Sequence, residues 1–195
     1  TGAVTYTVNK TADTVDGYCD ASDCSLRDAI LIANANIGSD IITVPAGTYT
    51  LTITGLDHAS LKGDLDITES VTINGDSIGT TIIDGNGGVI NDRIFTIFSG
   101  DIAMNDLTIQ NGISSTIGTA ISHAGTSLTL TRVAVKNNSS SSNHVGGISS
   151  VSANTITLND VEISGNTAAA GKNGGGLYVT NGTITWNGGL CYNNS

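Results

Sequence analysis

Four segments in the second half of the chain repeat one pattern of apolar and polar residues. They occupy residues 102–112, 128–138, 156–166 and 184–194, and their starts are 26, 28 and 28 residues apart. A period in this range is the sequence signature of a stacked repeat protein, in which each repeat contacts only its neighbours. The repeat therefore predicts a rod, and it directs the search for function to the faces and ends of that rod.

When the four segments are aligned, their apolar residues fall into four columns. The columns are Ile102, Leu128, Ile156 and Ile184; Met104, Leu130, Leu158 and Trp186; Leu107, Val133, Val161 and Gly189; and Ile109, Val135, Ile163 and Cys191. Apolar residues two apart with polar residues between them have the period of a β-strand. A further short apolar run precedes each segment. We therefore predict an all-β fold, a right-handed parallel β-helix (β-solenoid) forming one domain over residues 1–195.

One helix is predicted, near the start of the chain. Ser25 and Asp28 form an opening that resembles a capping box, and apolar residues follow it at helical spacing. The terminal rung of a solenoid exposes apolar side chains and strand edges, so a short amphipathic helix lying across it would serve as a cap. Residues 1–56 are expected to hold an N-terminal strand, a cysteine loop and this helix, and residues 57–195 the rungs.

The chain has three cysteines. Cys19 and Cys24 flank a four-residue loop, where they could form a short disulfide or remain free thiols. The abundance of Gly, Asn, Thr and acidic residues is typical of exported proteins, which favours the disulfide and a secreted, extracellular or cell-surface location. Cys191 occupies an inward column, so a buried, unpaired thiol is expected there.

A distinctive stretch at residues 13–34 has Cys24-Ser-Leu-Arg-Asp-Ala29 at its centre. It resembles the N-terminal CSLREA-type domain of bacterial and archaeal surface proteins, and residues 38–51 are similar to the first strands and turn of that family. The resemblance covers about residues 13–54, with Asp28 where the family has Glu. It implies export, attachment to a surface and a right-handed β-helix of pectate-lyase-like architecture. It does not imply a defined reaction.

The charge of the chain argues against two classes of partner. Its formal net charge is −10, with only seven Lys and Arg. Nucleic acids and anionic membrane surfaces both require a basic face, so neither is expected as a partner. The sequence also has no run of about 18 apolar residues, which argues against insertion in a membrane.

Four acidic residues around the cysteine loop offer one candidate metal site. They are Asp13, Asp16, Asp20 and Asp23. Carboxylate oxygens at this density could hold Ca²⁺. The alternative is a solvated acidic cap that binds no ion, and no other cofactor is expected.

Residues suited to polysaccharide cleavage are few. A lyase needs Arg or Lys as a base beside acidic residues, but Arg132 shares a column with Asp106 and Asp160 and is better explained as part of a structural charge ladder. Arg93 stands alone in a loop. Arg27 is expected to pair with an aspartate of the cap loop.

A hydrolase would instead need clustered carboxylates beside a groove. Asp64 with Asp66, and separately Asp76 with Asp84, come closest, although turn capping explains both pairs. The histidines have no metal-ligand spacing and lie in or beside loops. We expect all three at the surface: His58, His123 and His144.

Two further surfaces suggest roles that need no catalysis. Outward polar residues of the repeats form an array like the ice-binding face of some antifreeze proteins: Ser127, Thr129, Thr131, Thr155, Thr157, Asn159, Thr183, Thr185 and Asn187. The ends of the rod offer strand edges and apolar side chains to another copy of the chain. The candidate self-association residues are Val4, Tyr6, Val8 and Trp186.

These observations favour a non-catalytic, secreted or cell-surface β-solenoid with a structural, adhesive or self-assembling role, as in a filament or surface layer. Its expected partners are other copies of itself or extracellular glycans. A polysaccharide lyase or hydrolase, or a carbohydrate-binding module, is the alternative, and an ice-binding protein is a weaker one. A groove flanked by Arg or Lys and several Asp would favour the alternative, whereas a scaffold should have even, uncharged faces.

Overall fold

The computed structural model describes residues 2–142, 145–152 and 154–195 of the chain. In this part of the chain the elements, in order, are β1 (Thr5–Thr7), α1 (Leu26–Ala35), β2 (Asp40–Thr43), β3 (Gly47–Thr50), β4 (Leu65–Ile67), β5 (Val71–Asn74), β6 (Thr81–Asp84), α2 (Gly87–Ile90), β7 (Phe95–Ile97), β8 (Asp101–Gln110), β9 (Ile113–Ser114), β10 (Ile121–His123), β11 (Ser127–Lys136), β12 (Ser139–Ser140), β13 (Ile148–Ser150), β14 (Thr155–Ser164), β15 (Leu177–Val179) and β16 (Thr183–Tyr192). Strands dominate, as the period of the sequence predicts.

Stacked parallel strands form a β-solenoid, which confirms the predicted fold. The larger sheet has the order β1-β2-β5-β8-β11-β14-β16, with β3 and β6 beside it, and the second sheet has the order β15-β13-β10-β7-β4. The paired strands of both sheets are parallel. Successive turns of the chain supply successive strands, so the turns lie about 4.8 Å apart along the rod.

The strand register confirms the alignment of the repeats. Leu128 lies between Ile102 and Ile156, and Ile156 in turn lies beside Ile184. The inward columns of β8, β11 and β14 are buried. Their Ile, Leu, Met and Val side chains stack on one another along the rod, and the removal of this apolar surface from water is the main source of its stability.

Each long strand bends where the sequence has a break between the second and third apolar columns. Asp106, Arg132 and Asp160 have φ values of 57°, 51° and 51°, in the left-handed region. The corresponding bend of β16 contains Gly188 and Gly189, which adopt positive φ without strain from a side chain. Arg132 Nε donates to Asp106 Oδ1 at 2.6 Å. The charge-ladder interpretation is thus confirmed for this pair.

A ladder of buried asparagines follows the long strands. Asn166 Nδ2 donates to Val135 O at 2.8 Å and to Asn194 Oδ1 at 3.0 Å. Asn166 Oδ1 accepts from the backbone N of Asn138 at 3.0 Å and from its Nδ2 at 2.9 Å. These bonds satisfy backbone groups at the turn that leaves each long strand, where strand pairing ends.

Replacing Asn166 with alanine should lower the free energy of unfolding by about 2–4 kcal/mol, because each buried polar group left without a partner costs about 1–3 kcal/mol. Urea unfolding measures the change. Asn159, on the outer side of β14, is the matched control, and Asn159→Ala should cost less than about 0.5 kcal/mol. Equal losses in the two variants would contradict the structural role of the ladder.

Helix α1 caps the first turns of the rod and packs against β2 and β4. Ser25 Oγ accepts from the backbone N of Asp28 at 3.0 Å, which confirms the predicted start of the helix. Cys19 and Cys24 form a disulfide beside this cap. A second helix, the one-turn α2, occupies Gly87–Ile90 and is not predicted from the sequence.

The ends of the rod differ from expectation in two ways, at Cys191 and at Val8. Cys191 is exposed rather than buried, because among the described residues no further strand stacks on the inward column of β16. Strand β1 pairs with β2 of the same rod. Val8 is fully buried in the core, so its side chain cannot contact another copy. Val4 and Trp186 are exposed and Tyr6 is partly buried, and self-association through them stays a prediction.

Candidate functional site

The acidic residues of the cysteine loop do not converge on one point. Their partners differ: Asp13 pairs with Arg27, Asp16 and Asp23 pair with Lys10, and Asp20 accepts from Ser22 and from the backbone of Asp23. Among the described residues, no group of three or more His, Cys, Asp or Glu is placed to hold a metal ion. The Ca²⁺ prediction is therefore not supported, since groups of the cap itself occupy these carboxylates. The pairing of Arg27 with an aspartate of the cap loop is confirmed.

A polar column runs along the outer face of the second sheet. The strand register places its residues side by side in the order Asp66, Thr96, Ser122, Ser149 and Tyr178. Five strands spaced about 4.8 Å apart span roughly 19 Å. Asp66, Thr96 and Ser149 are at most 5% exposed, so only the partly exposed Ser122 and Tyr178 can contact a ligand on this face.

Two open clefts share Arg93 and Thr116, and the smaller of them is also lined by two residues of this column. One, of about 360 Å³, is lined by Leu56, Asp57, His58, Asp92, Arg93 and Thr116. The other, of about 280 Å³, is lined by Arg93, Thr116, Ile117, Ser122, Ser149 and Val151. We call the two clefts together, with the buried aspartates 64 and 66 beside Arg93, the acidic groove.

Two buried aspartates lie at the β4 end of the acidic groove. Asp64 Oδ2 accepts a hydrogen bond from Thr96 Oγ1 and lies 3.5 Å from Arg93 Nε. Asp66 Oδ2 accepts from the backbone N of Ser60 at 2.9 Å. Both aspartates are at most 1% exposed. Carboxyl groups so far from water are uncommon unless they are paired, and here they stand close to one another.

Burial raises the pKa of both carboxyl groups. The pKa of Asp64 is raised to about 7, first by loss of hydration and then by the charge of Asp92. The pKa of Asp66 is raised to about 6, again first by loss of hydration, while its hydrogen bond from Ser60 opposes the shift. Both groups therefore keep part of their proton near neutral pH. Carboxyl groups shifted this far, beside a cleft, are typical of functional sites.

Two buried polar atoms of the acidic groove have no hydrogen-bond partner within the described part of the chain. They are Asp66 Oδ1, an acceptor, and Arg93 Nε, a donor. Native proteins satisfy most buried polar groups, so an unpaired atom requires an explanation. Arg93 Nε lies 3.5 Å from Asp64 Oδ2, which balances its charge, whereas Asp66 lines neither cleft and its Oδ1 is out of reach of a ligand bound in them.

Arg27 of the cap helix holds the loop that carries these aspartates. Its Nη1 donates to the carbonyl oxygens of Ser60 at 3.1 Å and Asp64 at 3.0 Å, and its Nη2 donates to that of Gly63 at 2.8 Å. Gly63 has a φ of 65°, and a Cβ there would lie 2.4 Å from the carbonyl oxygen of Gly55. The loop therefore needs glycine at this position, and the cap helix positions the acidic groove.

The structure places some of the candidate catalytic residues beside the clefts and others in turns. The expectation that Arg93 stands alone is wrong, because it lies beside Asp64 and lines both clefts. Turn capping is confirmed for the other acidic pair: Asp76 Oδ2 accepts from Thr80 Oγ1 at 2.7 Å, and Asp84 Oδ1 accepts from Asn86 N at 2.9 Å. For Asp64 and Asp66, turn capping is only part of the account, since they belong to a cluster with Asp92 and Arg93.

The surface expectation holds for His58 but is wrong for His123. His58 is exposed and makes an edge-to-face contact with Phe98, with ring centroids 5.4 Å apart. His123 is 1% exposed; its Nδ1 lies 3.3 Å from Ser150 Oγ, and burial lowers its pKa. His144 lies outside the described residues. The sequence holds a signal for the burial of His123. This residue ends one of the short apolar runs that precede the repeats, and it aligns with the inward Ile97 of the preceding turn.

The outward Ser, Thr and Asn array of β11, β14 and β16 has the predicted register. It is interrupted in β8, where Asp101 and Ala103 occupy the equivalent positions. Ser127 Oγ donates to Asp101 Oδ1 at 2.7 Å, so part of the array is engaged within the protein itself. Ice binding stays a prediction with no further observation behind it.

Comparison of the chain with protein-family models, curated proteins and solved structures gives no match. The CSLREA-type resemblance therefore stays a prediction that depends on the motif at residues 24–29. No helix in the described part of the chain is long and apolar enough to cross a membrane. The disulfide is compatible with an extracellular protein, and export also stays a prediction.

Proposed function

We propose that the protein is an exported, adhesive β-solenoid that binds extracellular glycans in the acidic groove. The observation that carries this proposal is Arg93, which lines both clefts and stands beside the carboxyl groups of Asp57 and Asp92 in the larger one. Sugar hydroxyl groups donate and accept hydrogen bonds, so a glycan can pair with the arginine and with the carboxylates that line this cleft. Several aspartates and an arginine along a groove favour a ligand-binding face over the even, uncharged faces expected of a pure scaffold.

The shape of the groove also suits a linear chain of sugars. The two clefts share Arg93 and Thr116, and the partly exposed Ser122 of the polar column lines the smaller one, so successive sugars could occupy neighbouring clefts. Phe98 is 38% exposed and contacts His58, which lines the larger cleft. An exposed aromatic ring offers a flat apolar surface for the apolar face of a sugar ring. Polar groups would then fix the orientation of the ligand, as in most small-molecule sites.

Retention on a panel of immobilised neutral, acidic and amino polysaccharides tests the proposal. Arg93→Gln should weaken binding by at least about tenfold, because a hydrogen bond from a charged group contributes about 1.5–3 kcal/mol. The matched control is Arg132→Gln, which removes an exposed arginine from another face and should bind like the wild type. Unchanged binding by Arg93→Gln, or no binding to any polysaccharide of the panel, would contradict the proposal.

A second candidate function, hydrolysis of a glycosidic bond, is favoured by the raised pKa of Asp64, about 7. A general acid must keep its proton at the working pH in order to donate it to the leaving oxygen. Asp64 would take that role, and the Asp92 or Asp66 carboxylate would activate water or attack the anomeric carbon. New reducing ends from a bound glycan, absent with Asp64→Asn, are the expected signature. Binding without new reducing ends would leave adhesion alone.

A further inference from the structure

We propose that a protease specific for basic residues cuts the folded protein at one bond, the amide between Lys172 and Asn173. Water adds across this amide: the C–N bond breaks and a C–O bond forms, which leaves a carboxylate on Lys172 and an ammonium group on Asn173. Glycan binding plays no part in this proposal. It follows from the placement of the basic residues and from the structure of the loop that holds Lys172.

Basic residues are few, and all of them lie in the part of the chain that the structure describes. A protease of this class recognises Lys or Arg through a carboxylate in its primary specificity pocket. It cuts only where the surrounding backbone can leave the protein surface, which favours loops over strands. The chain offers seven candidates: Lys10, Arg27, Lys62, Arg93, Arg132, Lys136 and Lys172.

The bond after Lys172 lies in an exposed loop of small residues between β14 and β15. Four successive residues are exposed: Ala170, Gly171, Lys172 and Asn173. Lys172 N donates to Ala169 O at 3.0 Å, a bond within the loop itself. A Cβ at Gly171 would meet no atom within 4 Å, so the loop stands clear of the rod there. Gly171 has a φ of 75° and, without a side chain, can change to an extended conformation at low cost.

Backbone hydrogen bonds to the preceding turn of the rod hold the two ends of this loop. At one end, Thr167 N donates to Asn138 O at 2.9 Å. At the other end, Gly175 O accepts from Gly147 N at 2.9 Å. The segment between these anchors can open while the pairing of β14, β15 and β16 stays intact. The free energy needed to present the Lys172 bond is therefore small, as it is for other local openings of loops.

Lys62 is also exposed, but the bond that follows it is held in place. Gly63 is buried, and its carbonyl oxygen accepts from Arg27 Nη2 at 2.8 Å. Arg27 Nη1 binds the carbonyl oxygens of Ser60 and Asp64 on either side of this bond. A protease would have to break these buried contacts before the Lys62 bond could enter its active site. Exposure of the side chain therefore does not make this bond accessible.

The other five basic residues are held by strand pairing, by burial or by ion pairs. Arg132 and Lys136 belong to β11, which pairs with a strand on each side. Arg27 is buried, and Arg93 stands between two buried residues. Two aspartates of the cap already bind the ammonium group of Lys10, which is the group that the protease would recognise. Lys172 is thus the basic residue whose side chain and following bond are both accessible.

The cut divides the chain without removing any strand pairing. β16 pairs with β14, and β15 pairs with β13. The disulfide between Cys19 and Cys24 lies wholly on one side of the cut, so it does not link the two products. Noncovalent contacts alone would then join β15 and β16 to the rest of the rod. The expected product is a nicked rod rather than an unfolded chain.

Limited digestion of the folded protein with trypsin, followed by mass spectrometry under denaturing conditions, tests the proposal. The first products should be residues 1–172 and 173–195. This cut should be at least about tenfold faster than any other, because opening a loop costs less free energy than opening a strand. Lys172→Gln should abolish the first cut. Lys62→Gln is the matched control, since it removes the other exposed loop lysine, and it should leave the rate of the first cut unchanged.

A destabilised variant separates cleavage of the loop from cleavage of the unfolded chain. Val133→Ala leaves a cavity in a buried column of β11 and should speed every cut that requires strands to open. The rate of the cut after Lys172 should not change. A first cut after any other Lys or Arg, or no cut in the folded protein, would overturn the proposal. A rate at Lys172 that rises with Val133→Ala would overturn it as well.

Discussion

Replacing Arg27 with methionine should lower the free energy of unfolding by about 3–5 kcal/mol, because it breaks a buried ion pair by removing one partner. The Arg27 side chain is fully buried, and its Nε donates to Asp13 Oδ1 at 2.6 Å. Methionine fills the space but leaves Asp13 without its cation and the carbonyl oxygens of Ser60, Gly63 and Asp64 without their donor. Chemical unfolding followed by circular dichroism measures the loss.

Three further variants test this account of Arg27. Arg27→Lys keeps the charge but cannot reach a carboxylate and three carbonyl groups at once, so it should recover only part of the stability. Adding Asp13→Asn to Arg27→Met should also recover part of it, since no buried charge then remains unpaired. Arg132→Met removes an exposed ion pair of the same type and should cost less than about 1 kcal/mol. Similar losses for Arg27→Met and Arg132→Met would show that burial does not decide the effect.

Replacing Asp64 with asparagine should stabilise the fold at pH 8 by as much as about 4 kcal/mol, at about 1.4 kcal/mol for each unit by which its pKa is raised. The unfolded chain releases the Asp64 proton near pH 4, whereas the folded protein holds it until about pH 7. Between these values the folded state binds more protons than the unfolded state, so stability falls as the pH rises. At pH 4 the carboxyl is largely protonated in the folded protein, and the substitution should have little effect there.

The difference in unfolding free energy between Asp64→Asn and the wild type, measured at several pH values, tests this prediction. Burial lowers the pKa of His123, so this residue makes the opposite contribution. The stability that its neutral ring gives to the folded state is lost as the pH falls below the pKa of the free imidazole. The difference cancels that contribution because both proteins contain His123. Asp101→Asn is the exposed control and should give a small, flat difference. A difference for Asp64→Asn that does not grow between pH 4 and pH 7 would contradict the raised pKa.

The Asp64 prediction bears on function as well as on stability. At neutral pH the buried carboxyl group of Asp64 lowers the stability of the fold. Packing alone does not explain why a carboxyl group occupies this position. Natural proteins keep such groups mainly where activity or binding depends on them. If Asp64→Asn gains stability and loses glycan binding or cleavage in the same protein, the two results together assign the acidic groove its role.

The sequence by itself determined the fold and most of its register. Two-residue alternation and a 26–28-residue period are local properties, and a solenoid stacks each turn on its nearest neighbours in the chain. The inward columns and the start of α1 at Ser25 could therefore be predicted without the structure. The same logic failed at Cys191, because burial of an inward residue also requires another strand on top of it.

Only the tertiary structure decided where the candidate site lies. Asp64 and Arg93 come from consecutive turns and meet because β4 and β7 pair, while Asp92 comes from the loop that precedes β7. The lengths and paths of such loops follow no repeat, so their side chains carry no periodic signal. The raised pKa of Asp64 also depends on hydration and on neighbouring charges, which are properties of the folded surroundings rather than of the residue. Stacking in a solenoid is encoded locally, whereas the acidic groove forms only when separate turns bring their loops together.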